Sequence, residues 1–107
     1  MARLSETVGL VGAIAVLTAV AAGPAWAISD EEAAVLASSC ANCHAMDGRA
    51  WPDIPPIVGK PERVLQAQLL AFKADDVRNT TIMNRIAPGY TDEQIEAIAR
   101  HLASVNR

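Results

Sequence analysis

The run Cys40-Ala41-Asn42-Cys43-His44 constrains this 107-residue chain more than any other feature, since it holds both cysteines and one of the two histidines. Two thiols three positions apart lie about one helical turn from each other, so both can reach one edge of a porphyrin and form thioethers with its two vinyl groups. The imidazole that follows is then held beneath the iron as an axial ligand. C-x-x-C-H is the attachment signature of c-type haem, and the spacing predicts one covalently bound haem c with Cys40, Cys43 and His44 as its binding residues. Two other readings of the same residues stay open. A thioredoxin-like dithiol needs a βαβ setting, and the chain has no convincing strand. A zinc site needs four protein ligands, and beyond this cluster only His101 and carboxylates remain.

The first 27 residues set the compartment. A short amino end with Arg3 precedes fifteen uncharged residues, Val8 to Ala22, and then Gly23-Pro24-Ala25-Trp26-Ala27. This is the order of a secretory signal: charged end, apolar stretch, small residues at an A-x-A site. The alternative is a retained anchor, because Val8 to Ile28 is 21 residues long and about 20 span the hydrocarbon. Gly23 and Pro24 interrupt a helix beside the A-x-A site, which favours cleavage after Ala27 and a domain of residues 28–107 in the periplasm. Acidic residues (12) outnumber basic ones (9), so the chain lacks the basic surface that nucleic-acid binding requires. Eighty residues with 4% aromatics over the whole chain form a core that is marginal on its own. The porphyrin is expected to fill its middle.

A haem iron held by His44 has a second axial face. Met1 leaves with the signal, and Met46 is two residues past His44, about 7 Å of chain, too short to round the porphyrin edge. Met83 lies 39 residues downstream with a helix between, in the polar, aperiodic stretch Asn79-Thr80-Thr81-Ile82-Met83-Asn84-Arg85. It is the expected sixth ligand, so His44 and Met83 are the expected metal ligands. His101 is the competitor. It lies about 80° from the centre of the stripe Ile95, Ile98, Leu102 and Val105, which reads as a helix flank half in water.

The remaining pattern is all-α, three main helices around one haem. Ser29-Asp30-Glu31-Glu32 reads as a capping box, opening a helix through Ala33, Val35 and Leu36 into Cys40. Asp47 to Gly59, with Gly48, Pro52, Pro55 and Pro56, reads as a fixed-shape loop. Trp51 in it either packs on the haem edge or lids the domain's own core. Pro61 suits the first position of a second helix, with Val64, Leu65, Leu69 and Phe72 inward, Leu70 pointing away, and Asp75-Asp76 as a solvated turn. Pro88-Gly89-Tyr90 is a break, and Thr91-Asp92-Glu93-Gln94 is a second capping box for a last helix to about Val105.

The C-x-x-C-H run with a downstream methionine resembles the class I cytochromes c over essentially all of residues 28–107. Ile54-Pro55-Pro56-Ile57-Val58-Gly59, the helix from Pro61, and Thr81 to Ile95 are similar to the cytochrome subunit of flavocytochrome c sulfide dehydrogenase. That resemblance implies Met83 as axial ligand, Pro55 as the residue whose carbonyl accepts the hydrogen bond of the axial histidine, and Ile57 against the porphyrin. Many such subunits carry two haem domains, whereas this chain has a single C-x-x-C-H and reads as a single-haem form.

With both axial positions occupied by protein, the implied function is outer-sphere, one-electron transfer in the periplasm, and the chain itself is not the catalytic part. The resemblance implies a flavoprotein (FAD) sulfide dehydrogenase subunit as electron donor and other periplasmic redox carriers as acceptors. A free-standing soluble carrier, a ligand-binding haem protein with a labile Met83, and a haem-free dithiol protein are the alternatives.

Overall fold

The computed structural model describes residues 27–47, 49 and 51–105, so residues 1–26 of the expected signal peptide lie outside the described residues. Four α-helices follow in order: α1 (Asp30–Ser38), α2 (Glu62–Lys73), α3 (Met83–Ile86) and α4 (Asp92–Ser104). A 3-10 turn, Ser39–Asn42, continues α1, and a second, Ala87–Gly89, continues α3. The described residues hold no strand beyond one isolated bridge, Trp51 to Ile54, and no helix among them is long and apolar enough to cross a membrane. The all-α expectation holds, with a single-turn fourth helix added. One turn is too short to display a period, which is why the stretch around Met83 reads as irregular.

α4 is the centre of the domain. It packs against both α1 and α2 and buries Ile95, Ala97, Ile98, Ala99, Leu102 and Ala103. The buried strip is wider than the expected stripe because small alanines fill its flanks, letting the neighbouring backbones approach. Its start is the full capping box: Thr91 Oγ1 accepts from the Gln94 N–H at 3.1 Å, and Gln94 Oε1 accepts from the Thr91 N–H at 2.9 Å. Because the helix that organises the core depends on this turn, Thr91→Ala is expected to lower the unfolding free energy of the haem-loaded protein by about 1 kcal/mol, measured by guanidinium denaturation.

At Ser29 the forward arm forms, with Ser29 Oγ accepting from the Glu32 N–H at 3.1 Å. α1 then turns Ala33 and Ala37 inward and leaves Val35 71% exposed. It does not run as an α-helix into Cys40. Ser38 Oγ donates to the Val35 carbonyl at 2.6 Å and Ser39 Oγ to the Leu36 carbonyl at 3.1 Å, and such back-bonding competes with the α-type ladder and favours the tighter 3-10 turn. α1 and α4 are also joined at the surface, where Arg100 Nη2 donates to the Ile28 carbonyl at 2.9 Å and Nε lies 3.5 Å from Asp30.

α2 starts one residue later than expected, with Pro61 as its cap, its carbonyl accepting from the Val64 and Leu65 N–H groups. Leu65 is buried, but Val64 is 43% exposed. Leu70, expected to be exposed, is half-buried alongside Leu69 and Phe72. The helix thus offers a broad, half-covered apolar face in place of a narrow stripe. Its end is a Schellman closure: Asp75 adopts φ 55°, its N–H donates to the Phe72 carbonyl at 3.0 Å, and the Asp76 N–H donates to Ala71 at 2.9 Å.

The loop between Asp47 and Gly59 returns to α4 at Gly59, whose N–H donates to the Leu102 carbonyl at 2.9 Å. A Cβ there would meet only the Val105 carbonyl at 3.7 Å, so the φ of +73°, not space, asks for glycine. Trp51 is 62% exposed, which overturns its reading as a lid over the domain's own core. Its N–H and carbonyl are instead paired with Ile54 across the Pro52-Asp53 turn.

Candidate functional site

The attachment run is shaped by the turn that ends α1. The Cys43 and His44 N–H groups both donate to the Cys40 carbonyl, at 3.2 and 2.8 Å, so the three residues wrap around one peptide oxygen and stay together. Neither cysteine is in a disulfide. Cys40 is half-buried and Cys43 exposed. Burial pushes the Cys40 thiol above its usual range, against the lowering effect of its hydrogen bonds with Ser39 and with its own backbone.

His44 is oriented from across the loop. Its Nδ1 lies 2.7 Å from the Pro55 carbonyl oxygen. That oxygen can only accept, so Nδ1 carries the proton and Nε2 is left with the lone pair, the form in which an imidazole ligates a metal. The same bond fixes the ring plane and raises the basicity of Nε2. The Pro55 role implied by the sequence resemblance is thereby present. Pro55 owes its place to the rigid Pro52 to Pro56 loop, which presents a carbonyl where a more mobile segment would not.

The donor set and its surroundings fit a c-type haem. Leu36, Cys40, Met46, Ile57, Val58, Leu69 and Tyr90 all pack on the buried cluster of Ala37, Leu65, Ile98, Ala99, Leu102 and Ala103 yet stay only partly buried. An apolar collar around the attachment cysteine is what a porphyrin plate needs on its sides. Ile57 and Met46 sit in that collar. Met46 therefore has the packing position expected of it. Beside it, Arg49 pairs with Asp47 and holds that carboxyl below its usual range.

Met83 opens α3 and is half-buried. α3 packs on α2, and the 3-10 turn that follows it packs on α2 as well. At the end of that turn Tyr90 OH lies 2.9 Å from Ser39 Oγ. This bond joins the residue preceding Cys40 to the segment that carries Met83. His101 is half-buried in the last turn of α4, the flank position read from its helical phase.

Three contributors escaped the sequence reading. The Ser39–Tyr90 bond spans 51 residues and leaves no local trace. Asn84 donates from Nδ2 to Asp75 Oδ1 at 3.0 Å, a pairing hidden in two separate polar stretches. The left-handed Asp75 and Asn79 had a weak signal, since Asp and Asn are the non-glycine residues that tolerate that conformation.

Comparison with known proteins gives consistent matches. The family model described as cytochrome c matches residues 29–106. The cytochrome subunit of sulfide dehydrogenase from Chlorobaculum tepidum is 36% identical over 80 residues, covering 75% of this chain and 72% of that protein. The thiosulfate dehydrogenase electron acceptor of Thiomonas intermedia is 35% identical over 87 residues, and this chain spans only 38% of its length. Cytochrome c-553 of Desulfomicrobium norvegicum is 29% identical over 70 residues, 64% of this chain and 88% of that protein.

Proposed function

We propose that this chain, which belongs to the cytochrome c family and is an electron-transfer protein carrying covalent haem c, holds the iron between His44 and Met83 and serves as the cytochrome subunit of a sulfide-oxidising flavoprotein. When bound, the haem supplies a one-electron iron couple. Cys40 and Cys43 fix the porphyrin to the polypeptide. Pro55 orients His44 and keeps its Nδ1 protonated. Met83, carried by α3 against α2, would contribute a thioether, a ligand that raises the reduction potential and so favours accepting an electron. The chain's part is positioning and electrostatics, and bond-making on the sulfur substrate belongs to the partner.

The observation that carries the partner assignment is the 36% identity to a protein named as the cytochrome subunit of sulfide dehydrogenase, over three-quarters of this chain. Export to the periplasm, with residues 1–27 removed, completes the reading. It is supported by the order of residues 1–27, with Arg3, an uncharged stretch and the Ala25-Trp26-Ala27 site. A free-standing carrier is the second reading, favoured by the likeness to cytochrome c-553 of Desulfomicrobium norvegicum over 88% of that protein's length.

One experiment separates the two. The protein is isolated from its native periplasm under gentle conditions and sulfide is added to the oxidised sample. The subunit reading expects an FAD protein to co-purify and the haem to be reduced by sulfide only in its presence. A lone cytochrome that no flavoprotein accompanies, and that sulfide leaves oxidised, leaves the carrier reading.

A further inference from the structure

Met83 opens a helix of four residues. A single turn cannot hold itself together in water, because helix formation has a costly nucleus and short isolated helices are marginal. The segment before it is no firmer, with Asn79 left-handed at φ 60° and Thr80 Oγ1 closing a local bond to the Val77 carbonyl at 2.8 Å. The position of Met83 must therefore come from attachment to something rigid.

Asn84, the next residue, supplies one such attachment. Its Nδ2 donates to Asp75 Oδ1 at 3.0 Å. Asp75 in turn is locked to the end of α2 by the Schellman bonds to Phe72 and from Asp76 to Ala71. The backbone that carries this carboxylate is thus a fixed point of the long helix, and the amide ties the Met83 turn to the exposed side chain. The orientation of that amide is forced. Turning it over would set Oδ1 against the Asp75 carboxylate. As it stands, Asn84 Oδ1 is buried with no hydrogen-bond partner among the described residues. The bond that this amide makes is the one that ties the Met83 turn to the end of α2.

We propose that the Asn84–Asp75 pair acts as a positioning tether that holds Met83 at the sixth coordination site against exchange. This rests on Met83 being that ligand. The tether acts through the backbone of α3 and touches neither the iron nor a redox partner.

Asp75→Gly tests it, because glycine keeps the left-handed turn at no steric cost and deletes only the acceptor. The oxidised, haem-loaded protein is titrated with imidazole, which competes for the sixth site, and the sulfur-to-iron charge-transfer band is followed. A hydrogen bond to a charged group is worth enough to shift such a competition by about tenfold or more. Asp75→Gly and Asn84→Leu are therefore expected to bind imidazole about tenfold more tightly. Asp75→Asn, which keeps a neutral acceptor and tolerates the same backbone, is expected to fall between the wild type and Asp75→Gly. Unchanged imidazole affinity in Asp75→Gly, in a protein whose band is lost on Met83→Ala, overturns the tether alone. If the wild type shows no such band and Met83→Ala leaves imidazole affinity unaltered, the ligand assignment falls first, and the tether with it.

Discussion

Replacing both Cys40 and Cys43 with alanine is expected to leave a haem-free chain that loses more than half of its helical ellipticity and unfolds without a cooperative transition. The reason is the make-up of the core. Six of the ten buried hydrophobic residues among those described are alanines (Ala33, Ala37, Ala87, Ala97, Ala99 and Ala103), and Ile95 and Ile98 are the largest side chains that are fully buried. Alanine buries little area, and stabilisation scales with apolar area removed from water, about 25 cal/mol per Å². A domain of this size has little margin to begin with. Leu36, Ile57, Val58, Leu69 and Tyr90 stay only partly buried on the buried cluster, and a bound porphyrin would add to their burial. The capping turns at Ser29 and Thr91 remain in the variant, so residual helix should concentrate in α4. Far-ultraviolet circular dichroism with a thermal scan checks this, and a sharp transition in the haem-free variant would contradict it.

The second large effect is expected at Met83. Met83→Ala leaves the attachment turn, the His44–Pro55 bond and the α4 core intact, because Met83 stands at the open end of a separate short helix. What is expected to change is the ligand set. The reduction potential is expected to fall by roughly 0.2 V, a fraction of the ~0.8 V that axial ligands span, since thioether sulfur favours the reduced iron. Carbon monoxide is expected to be excluded from the wild-type ferrous protein at neutral pH and to bind the variant readily. Met46→Ala is the control. Met46 packs on the core cluster beside the attachment turn, so its loss should lower stability while the potential stays close to that of the wild type. A potential unmoved by Met83→Ala but shifted by His101→Gln would transfer the ligand role to His101.

The site was legible where local chemistry is written in consecutive residues. Cys40, Cys43 and His44 declare the cofactor by spacing, and Thr91 with Gln94 declares the start of α4. Both capping turns begin where the sequence puts them, although Glu32 is seen only as the backbone donor to Ser29. Pro55 was legible only through likeness to a family, because a carbonyl acceptor has no side-chain signature. The length of α1 was misread, since a run of Ala, Leu and Ser satisfies helical propensity while the hydroxyls of Ser38 and Ser39 redirect the carbonyls. Leu70 and Val64 were misjudged for a different reason. A helical stripe assumes one flat neighbour, whereas α2 meets α4 on one side and α3 and its following turn on another, so apolar cover extends round the helix. Bonds such as Ser39–Tyr90 and Asp75–Asn84 are products of the tertiary fold, and no window of sequence contains both ends in a recognisable pattern.

The central claim is that the iron is held by one imidazole nitrogen and the sulfur of Met83. Iron-edge X-ray absorption on the oxidised, purified holoprotein and on its Met83→Ala variant measures that directly. The expected result is one sulfur neighbour in the iron's coordination shell of the wild type, and none in the variant. A wild-type shell without sulfur, or a sulfur signal that persists after Met83 is removed, would contradict the account.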